Sequence, residues 1–395
     1  MPSGLPIEFV LFGLTLLGVA VLHRHSLAVA LTGLVVILAF KLVSGAFAGG
    51  LAEVASHFAH EWVVLANLFL LLLGFAVLAR HFEHSAIADV LPRLLPDDWK
   101  GGLVLLAIVF VLSGFLDNIA AAIIGGTIAS TVFKGRVHIG FLAAIVAASN
   151  GGGAGSVIGD TTTTMMWIEG VSPLQVLHAY VASGVAFVVF AIPAAIAQQR
   201  FAPIVTDPGT AVKIDWASAG VVAFILIAAV TVNVLVNVRA PERADQFPFL
   251  GVAVWGAILF ATPLRRPSWD VVPHAAGGAV FLLSLVACAS LMPVESLPSP
   301  TWQSTLGLGF LSSVFDNIPL TKLALDQGGY DWGFLAYAVG FGGSMVWFGS
   351  SAGVAIATRF GEARSVFAWL RHGWYIALAY AVGYFALLAV LGWHA

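Results

Sequence analysis

The chain has 395 residues, 60% of them hydrophobic and only 9% charged, against about 25% charged in an average soluble domain. A net charge of −3, with no basic patch interleaved with aromatics, excludes nucleic acid as an expected partner. The single cysteine, Cys288, excludes an intramolecular disulfide and lies in an apolar run where a small buried residue is expected.

Apolar runs near the ~20 residues that a helix needs to cross a bilayer recur along the chain. They cover 5–22, 27–47, 61–79, 138–168, 175–197, 215–238, 248–264, 275–292, 333–358 and 372–392. These runs do not alternate polar with apolar, which excludes a transmembrane barrel. The predicted fold class is an all-α polytopic membrane protein of about ten transmembrane helices. The first run lacks a preceding basic segment and reads as a retained span, not a cleaved signal. His57 and His60, with Glu53 and Glu61, are expected to flank a solvated turn before the third span. Tryptophans near span ends, such as Trp62, Trp99, Trp269, Trp302 and Trp393, read as interfacial anchors.

Two further stretches, 102–133 and 303–328, each centre on an Asp-Asn pair. The pairs, Asp117-Asn118 and Asp316-Asn317, lie 199 positions apart. Ionisable residues at bilayer depth mark a functional site by default. Each stretch either crosses once or forms a re-entrant hairpin, and the positive-inside rule separates the two. With two hairpins, Arg24, Arg80, Arg93, Lys100, Lys134, Arg136, Arg200, Lys213, Arg265, Arg266, Arg359, Arg364 and Arg371 share one face. That is thirteen basic residues, against Arg239 and Arg243 on the other; two crossings give nine against six. The hairpin arrangement is therefore expected, with both termini outside and the two halves inverted. The predicted division is an N-terminal scaffold (1–60), a first inverted repeat (61–200), linking helices (201–270) and a second repeat (271–395). Inverted repeats of this kind place substrate sites near the midplane.

Each hairpin is followed by a span broken by small and polar residues. The first contains Ser149-Asn150-Gly151-Gly152-Gly153 and Gly159-Asp160-Thr161-Thr162-Thr163-Thr164; the second contains Gly340-Phe341-Gly342-Gly343-Ser344 and Gly349-Ser350-Ser351. Glycine costs a helix roughly 1 kcal/mol per residue relative to alanine. Unwound backbone at membrane depth survives only where it is buried or lines a wet cavity. The freed carbonyls and the Ser, Thr, Asn and Asp side chains are hard oxygen ligands suited to small cations. Helix N-termini could equally hold an anion, but Asp117, Asp160 and Asp316 tilt the site toward cations. Protons and cations compete for a carboxylate held away from water, which is sufficient for proton antiport.

The bland readings are specific. Asp117 and Asp316 can cap half-helices, as can Asn118 and Asn317. Helical spacing puts Thr161 and Thr164 on one face, and some of the threonines should bond back to their own helix. Lys322 can pair with a carboxylate, hold an anion or snorkel, and Lys41 is expected to snorkel or pair. The glycine run lacks the Gly-x-x-x-x-Gly-Lys spacing of a nucleotide loop. No convergent nucleophile and base suggests an enzyme, and no cofactor is expected.

Asp-Asn at two hairpin tips, each followed by a Gly-rich broken helix, resembles the ion transporter superfamily. The block Ser149-Asn150-Gly151-Gly152, then Ile158-Gly159-Asp160-Thr161-Thr162-Thr163-Thr164-Met165-Met166-Trp167-Ile168, is most similar to its NhaD-type sodium/proton antiporters. The resemblance implies ion-binding roles for Asp117, Asn118, Asn150, Asp160, Thr162 and Thr163. It also implies a homodimer with scaffold and transport domains and elevator-like movement. The chain departs from that pattern in two places: Ile119-Ala120-Ala121-Ala122 follows the first tip where threonines are usual, and no asparagine stands near Ser350 and Ser351.

The expectation is a secondary antiporter exchanging sodium or lithium for protons in a bacterial inner membrane. Asp160 and Asp117 would bind the cation. Ser149, Asn150, Asn118, Thr161, Thr162 and Thr163 would add neutral oxygens, and Asp316, Asn317, Ser350 and Ser351 would complete the site. The alternative is a cation-coupled carrier of a dicarboxylate or oxyanion, with Lys322 on the anion.

Overall fold

The computed structural model describes residues 6–22, 25–205, 213–240, 243 and 246–395, with the backbone alone at 88–89, 94 and 237–238. Arg24, counted in the charge asymmetry, lies outside the described residues. The helices run in order α1 (Ile7–Val21), α2 (Ser26–Val43), α3 (Leu51–His84), α4 (Ile87–Val90), α5 (Trp99–Ser113), α6 (Asn118–Val132) and α7 (Ile139–Ala154). Then come α8 (Thr161–Ile168), α9 (Pro173–Leu177), α10 (Ala179–Phe201), α11 (Trp216–Arg239), α12 (Phe249–Ala261) and α13 (Val271–Ser290). The chain continues with α14 (Trp302–Ser312), α15 (Asn317–Gln327), α16 (Trp332–Gly342), α17 (Ser351–Arg359), α18 (Val366–His372) and α19 (Trp374–Leu391). There is no strand among the described residues.

Six of the described helical segments are long and apolar enough to cross a membrane, and six more are apolar but shorter. Large apolar side chains such as Val35, Leu259, Phe260 and Val390 stand exposed along them. Such surface is a liability in water but is the normal face toward lipid. The chain is a polytopic helical membrane protein. One expectation is corrected: His57 and His60 do not flank a turn, because α3 runs unbroken for 34 residues from Leu51 to His84. The reason is local. Gly50, at φ 63°, starts the helix, and no glycine or proline follows until Gly74. Polar residues do not stop a helix when nothing breaks its backbone.

The elements pack in corresponding pairs. α5 lies on α7 as α14 lies on α16, and α10 lies against α19. The second hairpin arms cross over: α6 packs on α17, and α15 packs on α8. α1 and α2 join α13 in a separate apolar cluster through Phe12, Leu16, Ile37, Leu285 and Met292. At the centre, Gly140–Ala154 of α7 and Gly333–Gly342 of α16 are wholly buried. Small residues on several sides of a helix let neighbours approach closely. At Gly152 a Cβ would overlap the Phe110 carbonyl of α5, and at Gly342 one would overlap the Gly309 backbone of α14. The break after α16 is almost wholly buried, while the break after α7 is half-buried at Ser156, Val157 and Ile158, beside a cavity; unwound backbone at that depth is tolerated in either setting.

Candidate functional site

Both Asp-Asn pairs sit where the first arm of a hairpin turns into the second. Asp117 Oδ2 accepts the Ile119 N–H at 3.1 Å at the start of α6, and Asp316 Oδ1 accepts that of Ile318 at 3.0 Å at the start of α15. Asp160 begins α8 in the same way, its Oδ1 accepting the Thr162 N–H at 3.3 Å. Each cap satisfies one of the N–H groups that a helix start leaves open, and the helix dipole favours the negative charge. A carboxylate that caps through one oxygen keeps the other. Asp160 Oδ2 is buried and bonds to no protein group. Asp160 also lies close enough to both tip carboxylates for their charges to interact. Among the described residues no salt bridge reaches Asp117, Asp160 or Asp316.

A buried polar chain ties the hairpin tip to both broken helices. Asn118 Nδ2 donates to Asn150 Oδ1 at 3.2 Å. Asn150 Nδ2 in turn donates to Ser344 Oγ and Ser350 Oγ, both at 3.0 Å. Ser350 caps α17, its Oγ also accepting the Gly353 N–H at 3.2 Å. Asn118, Asn150 and Ser350 are thus brought together, with Ser344 as a member that was not anticipated. Its signal in the chain is its place at the end of the 340–344 block.

The hydroxyls divide by what they touch. Ser149 donates to the Val146 carbonyl at 2.9 Å, and its own carbonyl accepts from Ser113 Oγ at 2.5 Å. Thr163 donates to the Ser156 and Asp160 carbonyls, and Thr164 to those of Val157 and Asp160. Their protons hold the loop between α7 and α8 in shape, while the hydroxyl oxygens of Ser149 and Thr163 keep lone pairs of their own. Thr162 Oγ1 is a buried hydroxyl within reach of the Asp160 carboxylate, although not at good hydrogen-bonding geometry to any protein group. Thr161 is only half-buried. Ser156 and Tyr180, missed from the sequence, anchor the same loop: Ser156 Oγ reaches the Gly114 carbonyl at 2.7 Å and Tyr180 Oη the Gly152 carbonyl at 3.0 Å.

Asp316 and Ser351 line a cavity of about 160 Å³ together with Leu16, Ser26 and Phe281. It lies between the second hairpin tip and the cluster of α1, α2 and α13. Asn317 is buried at this tip, and its Nδ2 has no protein acceptor. A larger cavity, about 440 Å³, lies against the loop after α7 but is apolar, and none of the three aspartates lines it.

Lys322 does not snorkel. It is 2% exposed and meets Asp326 at 2.8 Å, Glu61 of α3 at 2.9 Å and Glu169 after α8 at 3.3 Å. The Asp326 contact follows from i,i+4 spacing; the other two join distant parts of the chain. Lys41 pairs with backbone: its Nζ donates to the Leu291 carbonyl after α13 at 2.7 Å and sits 4.9 Å from the Phe47 ring. His57 bonds Ser290 Oγ at 3.0 Å and His60 the Ser56 carbonyl at 2.9 Å, while Glu61 turns to Lys322. Glu53 accepts the Gly49 N–H at 2.9 Å, so the two histidines and two glutamates do not converge on one point.

One part of the chain has a characterised relative. Over 140 residues, 33% of its length, it is 31% identical to the Na(+)/H(+) antiporter NhaD of Halomonas elongata. The chain spans about a quarter (27%) of the length of that protein. No family model matches the chain. The similarity agrees with the NhaD-type likeness seen in the Asp160 block.

Proposed function

We propose that the chain is a secondary active transporter exchanging sodium or lithium ions for protons. The observation that carries this reading is the buried carboxylate of Asp160, flanked at the tips by the half-buried Asp117 and Asp316, with no salt bridge to any of the three among the described residues. An isolated carboxylate charge in a dry interior is too costly to stand alone, so it is neutralised by a proton or a bound cation. One group with two mutually exclusive ligands is the minimum that exchange requires. Asp160 is the central carboxylate, with Asp117 and Asp316 at the tips, Thr162 beside it, and Asn118, Asn150 and Ser350 shaping the surroundings. The partial similarity to an antiporter supports the same class.

The two halves would act as inverted repeats around this point. The hairpins and broken helices would move as one body against α1 to α3 and α11 to α13, giving access to each side in turn. The anion-carrier alternative needed Lys322 free to hold a negative substrate. Three carboxylates within 3.3 Å of its ammonium already neutralise it, which favours the cation reading.

Purified protein in liposomes, with a pH-sensitive dye inside and a preset proton gradient, tests the proposal. Sodium or lithium, but not citrate, succinate or arsenite, should release protons. Asp160→Asn should abolish the response while remaining monodisperse and folded. Full activity in that variant overturns the assignment. An anion response in place of the cation one overturns the antiporter reading.

A further inference from the structure

The two halves of the site correspond in position, and they differ in side chain most consequentially where Asn150 meets Gly340 and Asp160 meets Ser350. An offset of 199 relates Ser113, Asp117 and Asn118 to Ser312, Asp316 and Asn317. An offset of 190 relates Asn150, Gly152, Gly153, Gly159 and Asp160 to Gly340, Gly342, Gly343, Gly349 and Ser350. Contacts obey both offsets. Ser113 Oγ binds the Ser149 carbonyl at 2.5 Å and Ser312 Oγ binds the Val339 carbonyl at 2.7 Å. Gly152 packs on Phe110 as Gly342 packs on Gly309.

In one half, Asn150 fills the space between its hairpin tip and the opposite broken helix. Its Oδ1 takes the Asn118 amide, and its Nδ2 serves Ser350. In the other half the matching partners are Asn317 and Asp160, and the residue between them is Gly340. The two side chains that an asparagine there would satisfy are those left without protein partners: Asn317 Nδ2 and Asp160 Oδ2. Asn317 is 3% exposed and Asp160 2% exposed, so bulk water does not serve them. A Cβ placed on Gly340 would stand 3.4 Å from Asp160 Oδ2. The missing side chain is therefore missing directly in front of the unpartnered carboxylate oxygen.

Building on the exchange reading above, we infer that this chain carries one small-cation site, not two, and that Gly340 makes it. The cation lies where Gly340 bears no side chain, held by Asp160 Oδ2 with Thr162 Oγ1 beside it. Turning the Asn317 amide over supplies a further oxygen without moving its backbone. The related position in the other half is closed by Asn150, whose amide already occupies the hydroxyl of Ser350. The acidic ligand stands in one half, and the neutral pair in the other closes its counterpart. Gly340 is then the specificity-determining residue: anything larger than hydrogen there competes with the ion for the carboxylate.

Equilibrium binding of radiolabelled sodium to the full chain in detergent tests this, with sodium-dependent thermal stabilisation as a second readout. The unmodified protein should bind one sodium per chain. Gly340→Ala should weaken sodium at least tenfold, since its methyl abuts Oδ2. Gly340→Asn should abolish binding by donating its own amide N–H to Asp160. If the asparagine variant does not fold, Gly340→Ala decides alone, because its Cβ meets only contacts of 3.2 Å and longer. Two sodium ions per chain, or sodium affinity in Gly340→Ala within twofold of the unmodified protein, overturns the inference. A site that holds only water gives that second result. If the unmodified protein binds neither sodium nor lithium, the exchange reading itself fails. If it binds and exchanges while the Gly340 variants do so equally well, only the placement at Gly340 fails.

Discussion

The amide of Asn150 donates to the hydroxyl of Ser350 at 3.0 Å, across 200 positions of sequence. The same amide group accepts from Asn118, so one buried side chain joins a hairpin tip to both broken helices. Replacing it with alanine strands the Asn118 donor in a dry site. Each stranded buried group costs about 1–3 kcal/mol. Asn150→Ala should lower the thermal unfolding temperature in detergent and reduce exchange more than tenfold. An unchanged unfolding temperature would show that the chain of amides is not structural.

Gly152 should tolerate no side chain. A Cβ there would overlap the Phe110 carbonyl, which belongs to backbone and cannot rotate away. Overpacking of this kind costs about 1–3 kcal/mol or more. Gly152→Ala should lose stability and exchange together. Gly184→Ala, where nothing lies within 4 Å of the added atom, should behave like the unmodified protein. Comparing the two by thermal unfolding separates close approach from a general effect of losing glycine.

Lys322 holds three carboxylates that belong to α3, α15 and the end of α8. Removing its charge leaves them repelling one another. Loss of one partner from a buried pair costs about 3–5 kcal/mol. The carboxylates here are 18–27% exposed, so a value near the low end, about 3 kcal/mol, is expected for Lys322→Met. Adding Glu61→Gln should restore part of that loss, because less negative charge then remains. Strictly additive unfolding shifts would refute a shared cluster.

At the surface, the Arg265 guanidinium grips Asp215 at 2.8 and 3.0 Å and holds its carboxyl well below the usual carboxylate range. Asp215 also caps α11 through the Ala217 and Ser218 N–H groups. A lowered folded-state pKa contributes stability above the unfolded value, near pH 4, and that contribution drains as pH falls further. Both side chains are solvated, so the effect is small. Arg265→Ala should narrow the difference in unfolding temperature between pH 6 and pH 3. An equal pH dependence in both proteins would remove the pair from the acid response.

The class of the protein was legible from the chain alone. Sparse charge and repeated apolar runs leave a helical membrane protein as the only economical fold, because lipid offers the backbone no hydrogen bonds. The tip aspartates and the glycine-broken segments were legible for the same reason: polar or helix-breaking residues at such depth stand out against apolar sequence. The polar start of α3 suggests a turn in the sequence, yet the helix runs unbroken from Leu51 to His84, because polarity alone does not end a helix.

Which polar atoms meet is set by the folded chain. Thr162, Thr163 and Thr164 are identical in composition and adjacent in sequence, yet two hold the loop by their hydroxyl protons and one stands within reach of the Asp160 carboxylate. Lys322 looked able to serve an anion until Glu61 and Glu169, 261 and 153 positions away, were found against it. The membrane fold, the duplicated Asp-Asn pairs and the positions of the breaks all follow from local composition. That Asn150 closes one half of the site while Gly340 leaves the other open emerges only on folding, because hydrogen bonds form between distant parts of the chain and composition does not encode distance.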